Sequence, residues 1–117
     1  MKKRDPRDPA LEQGAEAGLY QAVMQLESPE EAADFFRDLC TPAELQAMAD
    51  RWLVVAMLRE GRAYRDINEH TGVSVTTIGR VARFLEHGNG GYKRVADRLN
   101  LGLKLGQNFG QNFGQKS

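Results

Sequence analysis

Arginines and hydroxyl side chains crowd one stretch of this 117-residue chain, and their spacing points to a nucleic acid. Arg65 is followed by Ser74, Val75, Thr76, Thr77, Gly79, Arg80 and Arg83. Guanidinium groups pair with phosphate oxygens or with the edge of a guanine, and threonines donate to phosphates or touch a thymine methyl. For these groups to converge, a helix must present them on one side. The segment from Ala63 to Leu85 supplies that helix and a support for it, because about Tyr64 to Thr71 and Val75 to His87 read as two short helices joined by Gly72-Val73-Ser74. Gly72 allows the positive φ of a tight turn. Ser74 is placed to cap the second helix through its hydroxyl. Ile67 and Val73 are spaced to pack between the two helices, and Ile78 and Val81 turn the inner face of the second toward the first. Val75, Thr76, Gly79 and Arg80 are left outward, small and polar as a close approach to the major groove requires, with Arg65 entering from the first helix. The pattern is that of a helix-turn-helix, and double-stranded DNA is the partner it implies.

Other chemistries find little to work with. The single Cys40 cannot form an internal disulfide, and with only His70 and His87 to join it no ligand set stands at metal-binding spacing, so neither a metal nor a cofactor is expected. Cys40 reads as a small buried apolar residue and His70 as a solvated one. No nucleophile lies at a sensible distance from a base, and no glycine loop is arranged to hold a phosphate, which argues against an enzyme. The longest apolar stretch, Trp52 to Leu58, falls far short of the roughly 20 residues a membrane span requires. Met1-Lys2-Lys3-Arg4 is not followed by an apolar signal region, so a cytoplasmic location is expected.

The net charge is zero, yet the charges are segregated. From Ala10 to Leu58 the acids Glu12, Glu16, Glu27, Glu30, Glu31, Asp34, Asp38, Glu44 and Asp50 face only Arg37 and Arg51. From Arg59 onward the balance reverses, and this basic half contains the helix-turn-helix.

The supporting elements are all helical. Ser28-Pro29-Glu30-Glu31 and Thr41-Pro42-Ala43-Glu44 each place a hydroxyl at the cap, proline at the first helical position and glutamate at the third, two capping boxes within fourteen residues. The spacing predicts a first helix from about Asp8 or Pro9 to Leu26, a second from Pro29 to about Cys40, and a third from Pro42 to about Glu60, closed by Gly61. The second half of the third helix is apolar almost all round, which predicts burial on more than one side and hence a homodimer. After Gly88-Asn89-Gly90-Gly91, a last amphipathic helix runs from Tyr92 to Leu99. An all-α fold of about six helices follows, with residues 1–9 as an arm and residues 10–100 as the helical domain. Residues 101–117, which repeat a Gly-Gln-Asn-Phe unit, read as a disordered tail.

Thr41-Pro42-Ala43-Glu44, Arg51, Leu58-Arg59-Glu60-Gly61, Tyr64-Arg65-Asp66-Ile67 and Thr77-Ile78-Gly79-Arg80 together resemble the tryptophan repressor superfamily, over about Leu19 to Leu99. The likeness is nearest to its tryptophan-repressor-related branch, which carries a Gly-Gly-Tyr segment after the recognition helix and has no assigned ligand. The resemblance implies a bacterial, intertwined helical homodimer that binds DNA. It also implies an effector pocket between the third helix and the recognition helix, at Thr41, Arg51 and Arg80. Phe84 stands where the tryptophan repressor has a serine and Val81 where it has a glycine, both adding volume at the ligand, so free tryptophan is not the expected effector. Phe84 is expected to fill the site instead. Two functions follow from the residues: a sequence-specific DNA-binding transcriptional regulator, acting as a repressor, or a dimeric module whose helix-turn-helix binds a protein.

Overall fold

The computed structural model describes residues 8–102 and contains six α-helices, with no strand among the described residues. They are α1 (Pro9–Val23), α2 (Pro29–Leu39), α3 (Pro42–Arg59), α4 (Tyr64–Thr71), α5 (Val75–His87) and α6 (Gly91–Leu99). The chain divides into two compact units, Met1–Pro42 and Ala43–Ser117. The arm up to residue 7 and the tail from residue 103 lie outside the described residues.

Local capping explains where the helices of the first unit begin. Asp8 accepts from the Ala10 amide ahead of Pro9, and Ser28 Oγ accepts from the Glu31 amide at 3.1 Å ahead of Pro29. Glu31 reaches back one residue beyond the cap, taking the Glu27 amide at 3.0 Å, so the box closes on the preceding residue. α1 stops at Val23, three residues before its expected end, and Gln25 and Leu26 continue only as a turn bonded to Ala22 and Val23. Neither α1 nor α2 contains a buried residue, and Cys40, expected to be buried, is only half-buried. Along α1 Leu11, Leu19 and Tyr20 are exposed, and just past its end Met24 is 77% exposed.

The second unit contains the core. Val54, Val55, Ala56 and Met57 are four consecutive buried residues of α3, surrounded by Ile67 of α4, Val73 of the turn, Ile78 and Val81 of α5, Ala96 of α6 and Leu101. The all-round apolar character of α3 is therefore satisfied at these four positions by the chain's own helices, whereas the sequence reading assigned it to a partner subunit. Around these four positions, α5 packs on both α4 and α6. Trp52, Leu53 and Leu58 pack against this core and are half-buried.

The C-terminal edge of the unit extends further than composition suggests. Leu101, placed in the tail by the sequence reading, is fully buried. Arg59 holds it there, donating from Nε to the Leu101 carbonyl at 2.8 Å and from Nη2 to Asp97 at 2.8 Å. Gly102, at φ +78°, comes so close to α3 that a Cβ would fall 2.4 Å from the Cβ of Arg59. Hydrogen bonds from Lys93 and Arg59 hold the Asp97 carboxyl below the ordinary carboxylate range. The stability contributed by this cluster is present at neutral pH and is lost as pH falls through that lowered value.

Candidate nucleic-acid interface

The turn between α4 and α5 is built as the residue types require, and then reinforced. Gly72 adopts φ +77° and closes α4 by donating to the Asn68 carbonyl. Ser74 Oγ accepts from the Thr77 amide at 3.1 Å, capping α5. Two side chains of α4 complete the turn. Thr71 Oγ1 donates to the Ile67 carbonyl and accepts from the Val73 amide, and Asn68 Nδ2 donates to the Val73 carbonyl at 2.8 Å. Both backbone groups of Val73 are thus taken while its side chain is buried between the helices. Sequence reasoning passed over Asn68 and Thr71, because a polar residue in a short helix is most simply read as solvated. Their signal was position: both stand within one turn of the glycine.

With Ile78 and Val81 buried, the helical period turns Thr76, Gly79, Arg80 and Arg83 to one side of α5. These four and Phe84 line a surface cavity of about 580 Å³. Val75, at the first turn, is 52% exposed. Arg65 stands exposed on α4 and is not one of the walls of this cavity. Thr77 departs from the outward set, since its hydroxyl accepts from Ser74 Oγ and its side chain faces a different groove with Arg51. The carbon an alanine would add at Gly79 lies 3.8 Å from the Tyr64 ring, an ordinary contact.

Charge sorts the arginines into two groups. Arg59 is bonded to Asp97, while Arg62 reaches Glu60 at 2.9 Å and Asp66 at 3.6 Å. Asp66, an acid near the proposed DNA face, also meets His70 at 3.1 Å and is largely occupied. Arg65, Arg80 and Arg83 make no ion pair among the described residues. An exposed guanidinium without a carboxylate needs no exchange of partner to take up a phosphate.

The effector residues partly converge. Arg51, Arg80, Val81 and Phe84 line one groove of about 510 Å³ together with Thr77 and Tyr92. Thr41 belongs to the first unit. Phe84 was expected to fill this groove, but it remains 44% exposed and forms a wall, because its ring extends from the outer rather than the core side of α5. Tyr92, from the amphipathic last helix, is a further wall residue.

A helix-turn-helix of this geometry, preceded by a long apolar helix and followed by α6, matches the Trp repressor protein family over residues 17–100. The chain belongs to that family. Members of the family are transcription regulators rather than enzymes. The chain is 44% identical over 81 residues to the uncharacterized protein YerC of Bacillus subtilis, covering 69% of this chain and 78% of that one. A TrpR-like protein from Eubacterium eligens, whose crystal structure is known, superimposes with a TM-score of 0.74 at 46% identity, over 80% of this chain and 97% of that one. A proposed Trp repressor from Staphylococcus aureus gives a TM-score of 0.69 at 39% identity, over 81% and 90% of the two chains. The family assignment and the all-α fold agree with the sequence reading, and the described helices contain none long and apolar enough to cross a membrane.

Gly79→Ala separates folding from recognition at this surface. Removing a helical glycine is expected to raise stability by about 0.5–1 kcal/mol, since the added methyl meets Tyr64 at an ordinary distance. DNA affinity is expected to fall, because the same methyl thickens the strip beside Thr76 and Arg80. Thermal unfolding and DNA titration of one protein sample check both directions.

Proposed function

We propose that this Trp repressor-like regulator is a sequence-specific DNA-binding transcriptional repressor, located in the bacterial cytoplasm and acting as an intertwined homodimer. The observation that carries the reading is the outward strip of α5, where Thr76, Gly79, Arg80 and Arg83 share one face and the arginines make no ion pair among the described residues. Small residues admit the helix to the major groove and the arginines supply guanine or phosphate contacts. Free tryptophan is not its effector in this reading: Val81 and Phe84, in place of the tryptophan repressor's glycine and serine, add volume to the wall beside Arg51 and Arg80.

Selecting bound fragments from genomic DNA and titrating one with salt tests the reading. Affinity is expected to fall by about a thousandfold between about 50 and 200 mM salt, the response of an interface with several phosphate contacts. A nearly flat response, or no selected fragment, would transfer the surface to a protein partner. The dimer has its own test. The exposed Leu11, Leu19, Tyr20 and Met24 leave apolar surface that a second copy is expected to cover. Sedimentation at micromolar concentration is expected to show twice the chain mass, and a monomer at high concentration removes the homodimer.

A further inference from the structure

Tyr64 is the first residue of α4, stands 42% exposed, and makes no hydrogen bond through its hydroxyl among the described residues. Helical geometry sets it at a border. At about 100° per residue it lies about 60° around the α4 axis from the buried Ile67 and about 100° from the exposed Arg65. Its ring leans toward α5, with Cε2 3.8 Å from the point a Cβ would take at Gly79. Apart from the chain neighbours of Gly79, no other side chain among the described residues comes within 4 Å of that point. Gly79 itself belongs to the outward strip and lines one cavity with Thr76, Arg80 and Arg83. The ring therefore bridges from α4 to the margin of the reading strip. Packing accounts for the ring and not for the hydroxyl, since a phenylalanine would rest on Gly79 equally well. The surroundings are cationic: Arg65 follows Tyr64 and Arg80 follows Gly79, and neither makes an ion pair among the described residues. Asp66, a nearby acid in sequence, is taken by Arg62 and His70.

We propose that Tyr64 anchors a DNA phosphate, its phenol hydroxyl donating to a backbone oxygen that lies between the contacts made from α4 and those made from α5. The proposal rests on the DNA-binding reading above and adds to it a neutral donor beside the arginines. Tyrosine is among the side chains that contact phosphate in protein–DNA interfaces, where such bonds fix the position of the protein and carry no sequence information. With two rotatable side-chain bonds and a ring already resting on α5, Tyr64 gives up little freedom in making the contact. Charge separates its contribution from that of an arginine. A guanidinium displaces counterions from the phosphates, whereas a hydroxyl displaces none, so Tyr64 contributes affinity that does not change the slope of binding with salt.

Tyr64→Phe removes the hydroxyl and keeps the ring, so its melting temperature is expected to equal that of the parent. Its affinity is expected to fall by about fivefold, the effect of one hydrogen bond, on the selected fragment and on an unrelated duplex alike. The salt slope is expected to stay at the parent value, while Arg65→Ala, titrated alongside, lowers it by about one. Duplexes carrying a single methylphosphonate, in which a methyl group replaces one charged phosphate oxygen, locate the contact. At one position in each half-site the penalty of Tyr64→Phe is expected to shrink below about twofold, because the partner is already gone. The proposal is overturned if Tyr64→Phe binds like the parent, which would leave the ring as packing alone. It is equally overturned if the loss is confined to the selected fragment, if the salt slope falls with it, if no methylphosphonate position absorbs the penalty, or if the variant melts lower, which would assign the hydroxyl to the fold. The parent's own titration keeps the two readings apart. A parent that binds no fragment fails the DNA-binding reading and this proposal with it, whereas a parent that binds and a Tyr64→Phe protein that binds equally well remove only the proposal.

Discussion

Arg65→Ala and Arg80→Ala are each expected to weaken binding to a selected DNA fragment by about 1–3 kcal/mol, roughly 5- to 150-fold, without unfolding the protein. Both side chains are exposed and neither makes an ion pair among the described residues, so their removal costs the fold little. Arg80 shares its face of α5 with Thr76 and Arg83, which puts it where a helix in the major groove meets base edges. Arg65 approaches from α4, outside that cavity, and is the better candidate for the sugar-phosphate backbone or the end of the site. If so, its loss weakens all sequences alike and lowers the salt slope, whereas the loss of Arg80 relaxes preference at one base pair. Thr76→Ala is expected to cost less than either. Lys93 is a weaker source of phosphate contact, because Asp97 already holds its ammonium at 3.1 Å. Folded Arg65→Ala and Arg80→Ala proteins that bind as tightly as the parent would remove this surface as the reading head.

Arg62→Ala is expected to destabilise the fold by about 2–4 kcal/mol, although Arg62 lies outside the DNA surface. Its Nε donates to Glu60 Oε1 at 2.9 Å, and the Glu60 side chain is only 3% exposed. The other oxygen, Oε2, is buried with no hydrogen-bond partner among the described residues. Without Arg62 a carboxylate would stay in the interior with neither oxygen satisfied, and an uncompensated buried charge costs far more than a surface ion pair contributes. Glu60→Met combined with Arg62→Ala is expected to recover most of the loss, since an apolar side chain of similar length has no charge to orphan. Urea unfolding of the single and double variants decides the matter. A single-variant loss below about 0.5 kcal/mol, the range of ordinary surface substitutions, would show that Glu60 does not depend on Arg62. Arg62 also bridges to Asp66 on α4, so the same change is expected to loosen the attachment of the helix-turn-helix to α3.

What could be read from the chain in advance followed rules that act over a few residues. Proline at the first helical position, serine at the cap and glycine at the turn give the starts of α2 and α5 and the φ +77° at Gly72, because caps and positive-φ positions depend on the backbone within about one helical turn. The facing of Ile78 and Val81 against Thr76 and Arg80 followed from helical periodicity in the same way. α1 shows where such rules weaken: the apolar stripe continued to Leu26, but the helix ended at Val23, since periodicity marks a face and carries no stop signal. Tertiary structure decided everything that depends on residues distant in sequence. Glu60, at the end of the third helix, is buried, and Leu101, expected to begin a tail, completes the core. Arg59 joins that residue to α3 across 42 positions of sequence. Phe84 was read as a plug and stands as a wall, and Tyr92 joins it from α6 to line the groove beside Arg51. Burial and pairing of this kind are set by which helices pack against one another, and local propensity cannot specify a neighbour that the chain supplies some forty residues away.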